Sequence, residues 1–412
     1  MNATTVGILL LLVAPAVGQQ VWKVNNQGIP GTHFTDLPQA VAAAAPGDEI
    51  RVYWDPALPI PQEYTSPLIN KPLRILGFSL NQSAVLSHVN VRGPWLISNI
   101  APGQRVEITG LVIAGSFSIP TLASSFMALD CHGTVLLESC VLASVKIPST
   151  IRFERCDDVV VRGCEIGLGG SPLTVIDSNL TLSASSVNYY GPYFWSTTPA
   201  YPATTESLRI TNSTVTVIWT NVNGSNNFGG WPYQSQPAAV IDSGVLRMGP
   251  GGGLWGGFMG GFGYEDAFYI VDPLIGSVQR DWRSVVSPVP QSPPMVPVTL
   301  DAVYQTALIP GQPFQVRVAA PPLGYTLLAL GEWLPNTPSP LGPLALDPNQ
   351  VFPVGLMQVP AAGPQIWNLI CPLGAPVAHA FAFQALTIAP NGTLGITLPS
   401  PMSVNWLATV TP

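Results

Sequence analysis

Between residues 126 and 248 the chain repeats one arrangement of apolar and polar positions. The segments FMALDCHGTVLLESCVL (126–142), TIRFERCDDVVVRGCEI (150–166), PLTVIDSNLTLSASSVN (172–188), SLRITNSTVTVIWTNV (207–222) and AAVIDSGVLRM (238–248) each hold an alternating strand, a small residue, and a second alternating strand. Period-two alternation marks half-buried strands. The small residues form a column, Cys131, Cys156, Ser178, Ser213 and Ser243, with spacings of 25, 22, 35 and 30. The first two spacings match one coil of a β-solenoid and the last two match one coil plus an inserted loop. In such a fold each coil buries its apolar positions only by stacking on its neighbours. LRILGFSL and WLISNIAPGQRVEITGLVI, further upstream, follow the scheme more loosely.

The period changes at residues 32–52, THFTDLPQAVAAAAPGDEIRV. Thr35 or Asp36 caps a short predicted helix, Gln39 takes the capping-box position relative to Asp36, and Pro46-Gly47 ends it. A Gly-rich stretch, 249–263, closes the repeat region, and SPVPQSPPMVP (287–297) is too rich in proline for a sheet interior, so 284–297 is expected to be a linker. The remaining residues, 298–412, alternate again in FQVRV and HAFAFQALTI, and ALTIAPNGTLGIT places an Asn391-Gly392 hairpin turn between two runs. A small β-sandwich is the natural closure for that region.

Composition agrees with an all-β chain: 44 prolines and 39 glycines in 412 residues punctuate it too often for long helices, while 47 % hydrophobic residues supply a large core. Residues 1–18 have the pattern of a secretory signal peptide, an apolar run from Val6 to Val13 followed by Ala16-Val17-Gly18. No later run is long enough to cross a bilayer, so a secreted or cell-surface location without a transmembrane helix is expected. The net charge of −7 and the presence of only three lysines (Lys23, Lys71, Lys146) disfavour nucleic acid as a partner and, by the same logic, polyuronates. One local arginine cluster, Arg152, Arg155 and Arg162, is the exception.

The stretch DLPQAVAAAAPGDEIRVY, with EY at 63–64 and NKPLRILG at 70–77, resembles the entry to secreted right-handed parallel β-helix proteins of the pectin-lyase-like superfamily. The resemblance covers roughly residues 20–270 and implies a helix that covers the open end of the coil, with the strand after Gly47-Asp48 as the first rung. Trp54-Asp55 stand where the family has a glycine, so the first turn departs from its pattern. The fold expected is therefore a right-handed parallel β-helix with an N-terminal helical cap over 19–283, followed by the β-sandwich. The superfamily holds lyases, hydrolases, isomerases, adhesins and inert scaffolds, so fold leaves function open.

Three groups of residues are candidates for chemistry. Asp157 and Asp158 follow the corner residue Cys156, and coils about 4.8 Å apart would bring His132 beside Asp157, a pair suited to acid/base work. The bland reading is a polar turn, since equivalent positions elsewhere are His132-Gly133, Asn179, Thr214 and Gly244. The resemblance does not rescue catalysis: polygalacturonase-like members carry a further Asp, then an Asp pair, then His-Gly and a basic motif, and here His132-Gly133 precedes the pair and the other motifs are missing. Nor is there a calcium-binding acidic cluster of the pectate-lyase kind. The polar turn is preferred, and polysaccharide lyase or glycoside hydrolase activity is the alternative.

Cys131 with Cys156 and Cys140 with Cys164 are 25 and 24 residues apart and should stack in adjacent coils, as bridges or as buried thiols. Cys371 is expected to be a small buried hydrophobe. The third group is aromatic. The inserted loops NYYGPYFWSTTPAYP (188–202) and NNFGGWPY (226–233) bring Tyr189, Tyr190, Tyr193, Phe194 and Trp195 toward Phe228, Trp231 and Tyr233. Rings among Asn and Ser suit sugar faces and hydroxyls, or pack on each other as a side flap. GGGLWG (251–256) matches a dinucleotide-binding glycine pattern but precedes no helix, and the four histidines show no metal-ligand spacing; no cofactor or metal is expected. Six N-x-S/T sequons, at Asn2, Asn81, Asn179, Asn212, Asn223 and Asn391, matter only in a glycosylating host. The expectation is a non-catalytic exported protein that binds extracellular polysaccharide or a cell-surface component.

Overall fold

The computed structural model describes residues 19–402 except 28–29, 55–62, 80–88, 115–124, 144–149, 169–170, 190–205, 225–235, 260–262, 265, 291–294, 299–301, 306–310, 340–341, 347–350, 372–380 and 398–399. Within it, residues 18–298 and residues 299 onward form two units. The first is a parallel β-solenoid of three long sheets with 11, 9 and 8 strands, here sheets 1, 2 and 3. Each coil runs from a sheet 3 strand to sheet 1, then to sheet 2, then returns to sheet 3 of the next coil. One such coil is Ser125–Leu129, Thr134–Glu138 and Val141–Ala143.

The register stacks like on like. Leu137, Val161, Leu182 and Val217 lie in one column of sheet 1, and Phe126, Ile151, Leu173 and Leu208 in one of sheet 3. All eight are buried in one continuous core. Alternation in the sequence thus becomes an apolar interior because each coil shields its neighbours.

The corners explain the small-residue column. At four successive turns from sheet 3 to sheet 1 a residue with positive φ, Asp130 (55°), Arg155 (52°), Asp177 (48°) or Asn212 (47°), reverses the chain just before Cys131, Cys156, Ser178 or Ser213. The buried corner residue then closes two backbone gaps. The Ser178 hydroxyl donates to the Ile176 carbonyl at 2.7 Å and accepts from the Cys156 amide at 2.9 Å; Ser213 donates to Thr211 and accepts from the Ser178 amide in the same way. A second ladder runs along the turns from sheet 1 to sheet 2. There the Cys140 amide donates to Cys164 Sγ (3.3 Å), the Cys164 amide to Ser185 Oγ (3.1 Å) and the Ser185 amide to Thr220 Oγ1 (3.0 Å). Ser243 departs from the expected column. Ser213 pairs with Gly244, so the Ser243 hydroxyl takes the Asn212 amide instead, one residue out of step.

The predicted helix is Leu37–Ala43, capped by Asp36, whose carboxylate accepts from the Leu37 amide and also from Thr65 of a neighbouring strand. Its Leu37, Ala40 and Val41 belong to the solenoid core. The expected linker at 284–297 is corrected: Val285–Ser287 pairs with Gly253–Trp255 in sheet 2, and Val296–Val298 pairs with Gly276–Asp281 in sheet 1. Met295 packs on the core, so the solenoid runs to Val298 rather than ending at residue 283. Proline is tolerated because this is the last strand of the sheet, where a missing donor leaves no neighbour unpaired.

The second unit contains two antiparallel sheets. Ala302–Gln305, Pro313–Ala319 and Gln365–Ile370 form one, and the other is built on Tyr325–Ser339 and Phe381–Ile388. Phe314, Val316 and Trp367 of the first share an apolar cluster with Leu328, Leu330 and Phe383 of the second. The turn at Asn391-Gly392 joins Phe381–Ile388 to Leu394–Ile396, with positive φ at Gly392 alone.

The corner ladder makes a stability prediction. Ser178→Ala removes the acceptor for the buried Cys156 amide and should cost about 1–3 kcal/mol, whereas Ser178→Cys keeps a donor and an acceptor in place. Chemical denaturation of both variants checks this, and an alanine variant as stable as the parent would show that the ladder contributes nothing.

Candidate functional site

The first candidate group lies on the turns from sheet 3 to sheet 1. His132 and Asp157 meet there, Nδ1 to Oδ2 at 3.2 Å, with side chains 53 % and 61 % exposed. Asp158 opens the next strand, half-buried, and accepts from the Thr134 hydroxyl at 2.8 Å. Burial pushes the Asp158 carboxyl up, opposed by the Thr134 hydrogen bond and reinforced by the charge of Asp157. Asp130, one residue before Cys131, holds Arg155 with both oxygens (2.5 and 3.1 Å), and that hydrogen-bonded guanidinium draws the Asp130 carboxyl down. Beside this group, Asp177, Ser178, Asn179, Asn212, Ser213, Thr214 and Gly244 line a shallow polar depression of about 320 Å³. The His132–Asp157 pair thus lies exposed on the turn between sheets 3 and 1, beside Asp158.

The arginine cluster is answered by carboxylates. Arg152 pairs with Glu154, Arg155 with Asp130 and Glu154, and Arg162 with Glu138 at 2.7 Å inside the protein. Other charges unnoticed in the sequence line the outer face of sheet 1, where Arg74 bridges Glu49 and the fully buried Glu107, each at 3.2 Å. Among the described residues, no group of three or more His, Cys, Asp or Glu is placed to hold a metal ion.

The cysteines stack across coils. All five are free and buried, with Cys131 over Cys156 and Cys140 over Cys164. The Cys156 thiol that hydrogen-bonds it, together with burial, pushes Cys131 up, and burial does the same to Cys164. Cys371 is raised by burial alone. The hydrogen bond from the Cys131 thiol draws Cys156 down, against its burial. Each of the four stacked thiols donates to the carbonyl two residues before it, as a ladder member.

Of the aromatic group, Tyr190, Tyr193, Phe194, Trp195, Phe228, Trp231 and Tyr233 lie outside the described residues, as does the side chain of Tyr189. Both insertions do connect a sheet 2 strand to a sheet 3 strand: Ser186–Tyr189 leads to Leu208–Thr211, and Asn221–Asn223 leads to Ala239–Ile241. They therefore depart from the same edge of the solenoid.

A residue that sequence reasoning passed over lies on the face of sheet 2 from which these loops depart. Trp255, inside the discarded GGGLWG pattern, stands 40 % exposed on the outer surface. Its indole Nε1 lies 3.5 Å from Asn221 Oδ1. Gly253 makes room for it, because a Cβ there would stand 2.6 Å from Trp255 Nε1 and 2.4 Å from Asn221 Oδ1. On the neighbouring coils Asn223 donates to Asn188 Oδ1 at 2.7 Å, and register places Ser186 over Asn221 and Asn223 over Trp255. The signal for this patch is a set of outward positions in three strands, visible only once the register is known.

No protein-family model matches the chain, and no curated protein matches it.

The acidic corners titrate with opposite signs. Hydrogen bonding by Arg209 holds Asp242 below the usual carboxylate range, so its contribution to stability is present above about pH 4 and is lost as pH falls through its folded value. Asp158 is raised, so its folded form prefers the proton and its ionisation costs stability as pH climbs from about 4 through its folded value. Asp158→Asn should therefore gain stability over the parent at neutral pH and lose that advantage near pH 4, while Asp242→Asn should lose stability at neutral pH. Denaturation midpoints across pH 3–8 check both, and a neutral-pH loss in Asp158→Asn would contradict the assignment.

Proposed function

We propose that this is an exported, non-catalytic right-handed parallel β-helix that binds glycan at the cell surface or outside the cell. The observation that carries the reading is the sheet 2 patch, an exposed indole laid over a glycine and bordered by the amides of Asn188, Asn221 and Asn223. A flat apolar ring with amides at its edge matches a sugar, which offers C–H groups on one face and hydroxyls around its rim. The strands Ser186–Tyr189 and Asn221–Asn223 that carry the patch are the ones followed in sequence by the aromatic-rich segments 190–205 and 225–235.

Several finer features complete the proposal. The signal-like segment 1–18 is removed on export. The pectin-lyase-like resemblance supplies the lineage, and right-handed crossovers follow from the general preference of parallel connections. The helix Leu37–Ala43 closes the first coil, and the second unit is a β-sandwich that assists attachment. Nucleic acid is no partner, since the arginines of the one basic cluster are engaged by carboxylates. Among the described residues no helix is long and apolar enough to cross a membrane.

A second reading, polysaccharide lyase or glycoside hydrolase, is favoured by one observation, the 3.2 Å contact of His132 with Asp157 beside Asp158. It requires release of reducing ends or unsaturated uronates from a polysaccharide, with or without calcium, and loss of that product in Asp157→Asn.

Trp255→Ala should abolish retardation in polysaccharide-containing gels, or weaken it at least tenfold, with the chain still folded by circular dichroism, since the ring is 40 % exposed and lies outside the buried core. Trp195→Ala and Trp231→Ala should weaken it further. Retention unchanged in all three variants would remove the aromatic site.

A further inference from the structure

The outer face of sheet 2 carries more than an isolated ring. Two outward rows run along the stack. One reads Glu165, Ser186, Asn221, Gly253 and Val285, and the other Gly167, Asn188, Asn223, Trp255 and Ser287. Successive members lie one strand spacing apart, about 4.8 Å. The rows thus present a hydroxyl or amide on two consecutive coils, Ser186 with Asn188 and Asn221 with Asn223, before reaching the indole on the third. Gly167, which has no side chain, is the strand neighbour of Asn188 in the preceding coil. A ligand that meets every member must be extended and lie parallel to the solenoid axis.

Charge narrows the chemistry. None of the ten residues in these two rows is a cation, and the one charged member, Glu165, is an exposed carboxylate at one end of the strip. Uronate or sulfated chains would meet a negative end and no counter-charge, whereas amides and hydroxyls serve uncharged hydroxyls as both donors and acceptors.

We infer that the outer face of sheet 2, from Glu165 to Trp255, is a subsite for a linear, uncharged polysaccharide laid along the solenoid axis, with one sugar ring stacked on Trp255. This rests on the glycan-binding reading above and adds substrate class and direction. Pyranose rings with equatorial substituents are flat enough to stack on the indole while their hydroxyls reach the Asn188–Asn223 amide pair. Gly253 is a positioning residue, since any side chain there displaces the ring from the sheet.

The test uses the full chain and follows intrinsic tryptophan fluorescence, with calorimetry alongside. The probes are neutral β-1,4-linked gluco- and manno-oligosaccharides from dimer to hexamer, and galacturonate oligomers of the same lengths. The neutral hexamers should bind, with affinity rising at least tenfold from dimer to hexamer and no comparable binding of the galacturonates. Trp255→Ala and Gly253→Ala should each reduce neutral hexamer affinity at least tenfold while circular dichroism and the thermal midpoint stay at the parent values; Asn221→Ala provides a milder variant should Gly253→Ala disturb folding. Binding of galacturonates in preference to neutral chains, lost in Trp255→Ala, would overturn the inference and leave glycan binding standing. Neutral binding indifferent to Trp255→Ala and Asn221→Ala would move the site off this face and overturn the inference too. Failure of every oligosaccharide, together with failure of polymeric glycans in gels, would sink the glycan reading itself.

Discussion

Sharp corners in a buried solenoid leave backbone amides and carbonyls with no ladder partner, and everything else in the first unit depends on how those groups are satisfied. A lost partner for a buried amide costs as much as a core methyl group or more. Here the cost is reduced at eight corners by a small side chain that donates to the carbonyl two residues before it, a hydroxyl in Ser178, Ser213, Ser185 and Thr220 and a thiol in Cys131, Cys156, Cys140 and Cys164. Ser178, Ser213, Ser185, Thr220 and Cys164 also accept from an amide of the adjacent coil. The preceding residue takes positive φ, which asparagine, aspartate or glycine accept most readily, and the arginine, serine, alanine and tryptophan found at other corners show how strongly the stack enforces the conformation. Once the corners are fixed, the strands between them have no freedom of register, and the columns of Val, Leu, Ile and Phe align.

This dependence explains what was legible in the sequence. The corner residues recur at one coil length, or one coil plus an inserted loop, so the coil could be read from Cys131, Cys156, Ser178 and Ser213, though not its division into three sheets. The stacking of His132 on Asp157 followed from the same count. Ser243 shows the limit: the insertion after Asn223 is followed by a one-residue slip, and the hydroxyl serves the amide of Asn212 rather than that of Ser213. The segment 284–297 was misread because proline density argues against interior strands but says nothing against a terminal one.

The patch around Trp255 was hidden for a different reason. Its members, Asn188, Asn221, Asn223 and Trp255, come from three coils and are 67 residues apart at the extremes, as Asn188 and Trp255 bound them. Nothing local marks them as partners, and GGGLWG drew notice only as a dinucleotide-binding pattern that no helix follows. Only sheet pairing reveals that Gly253 is low so that the indole can lie down. The charged turns, conspicuous in the sequence, instead neutralise one another: Asp130 with Arg155 and Asp242 with Arg209 are local pairs whose fields end within a few ångströms of water.

The last strand of sheet 1 has a further consequence. An open-ended stack of parallel strands is a template, since its final rung offers unpaired amides to any extended chain and invites fibrous polymerisation. In Val296–Val298 the middle residue, Pro297, has no amide hydrogen, and the rung is only three residues long. An incoming strand would find a gap in the donor row where continuity matters most. The proline-rich stretch thus interrupts the donor row at the one rung where another copy could add a strand, and so works against growth into filaments.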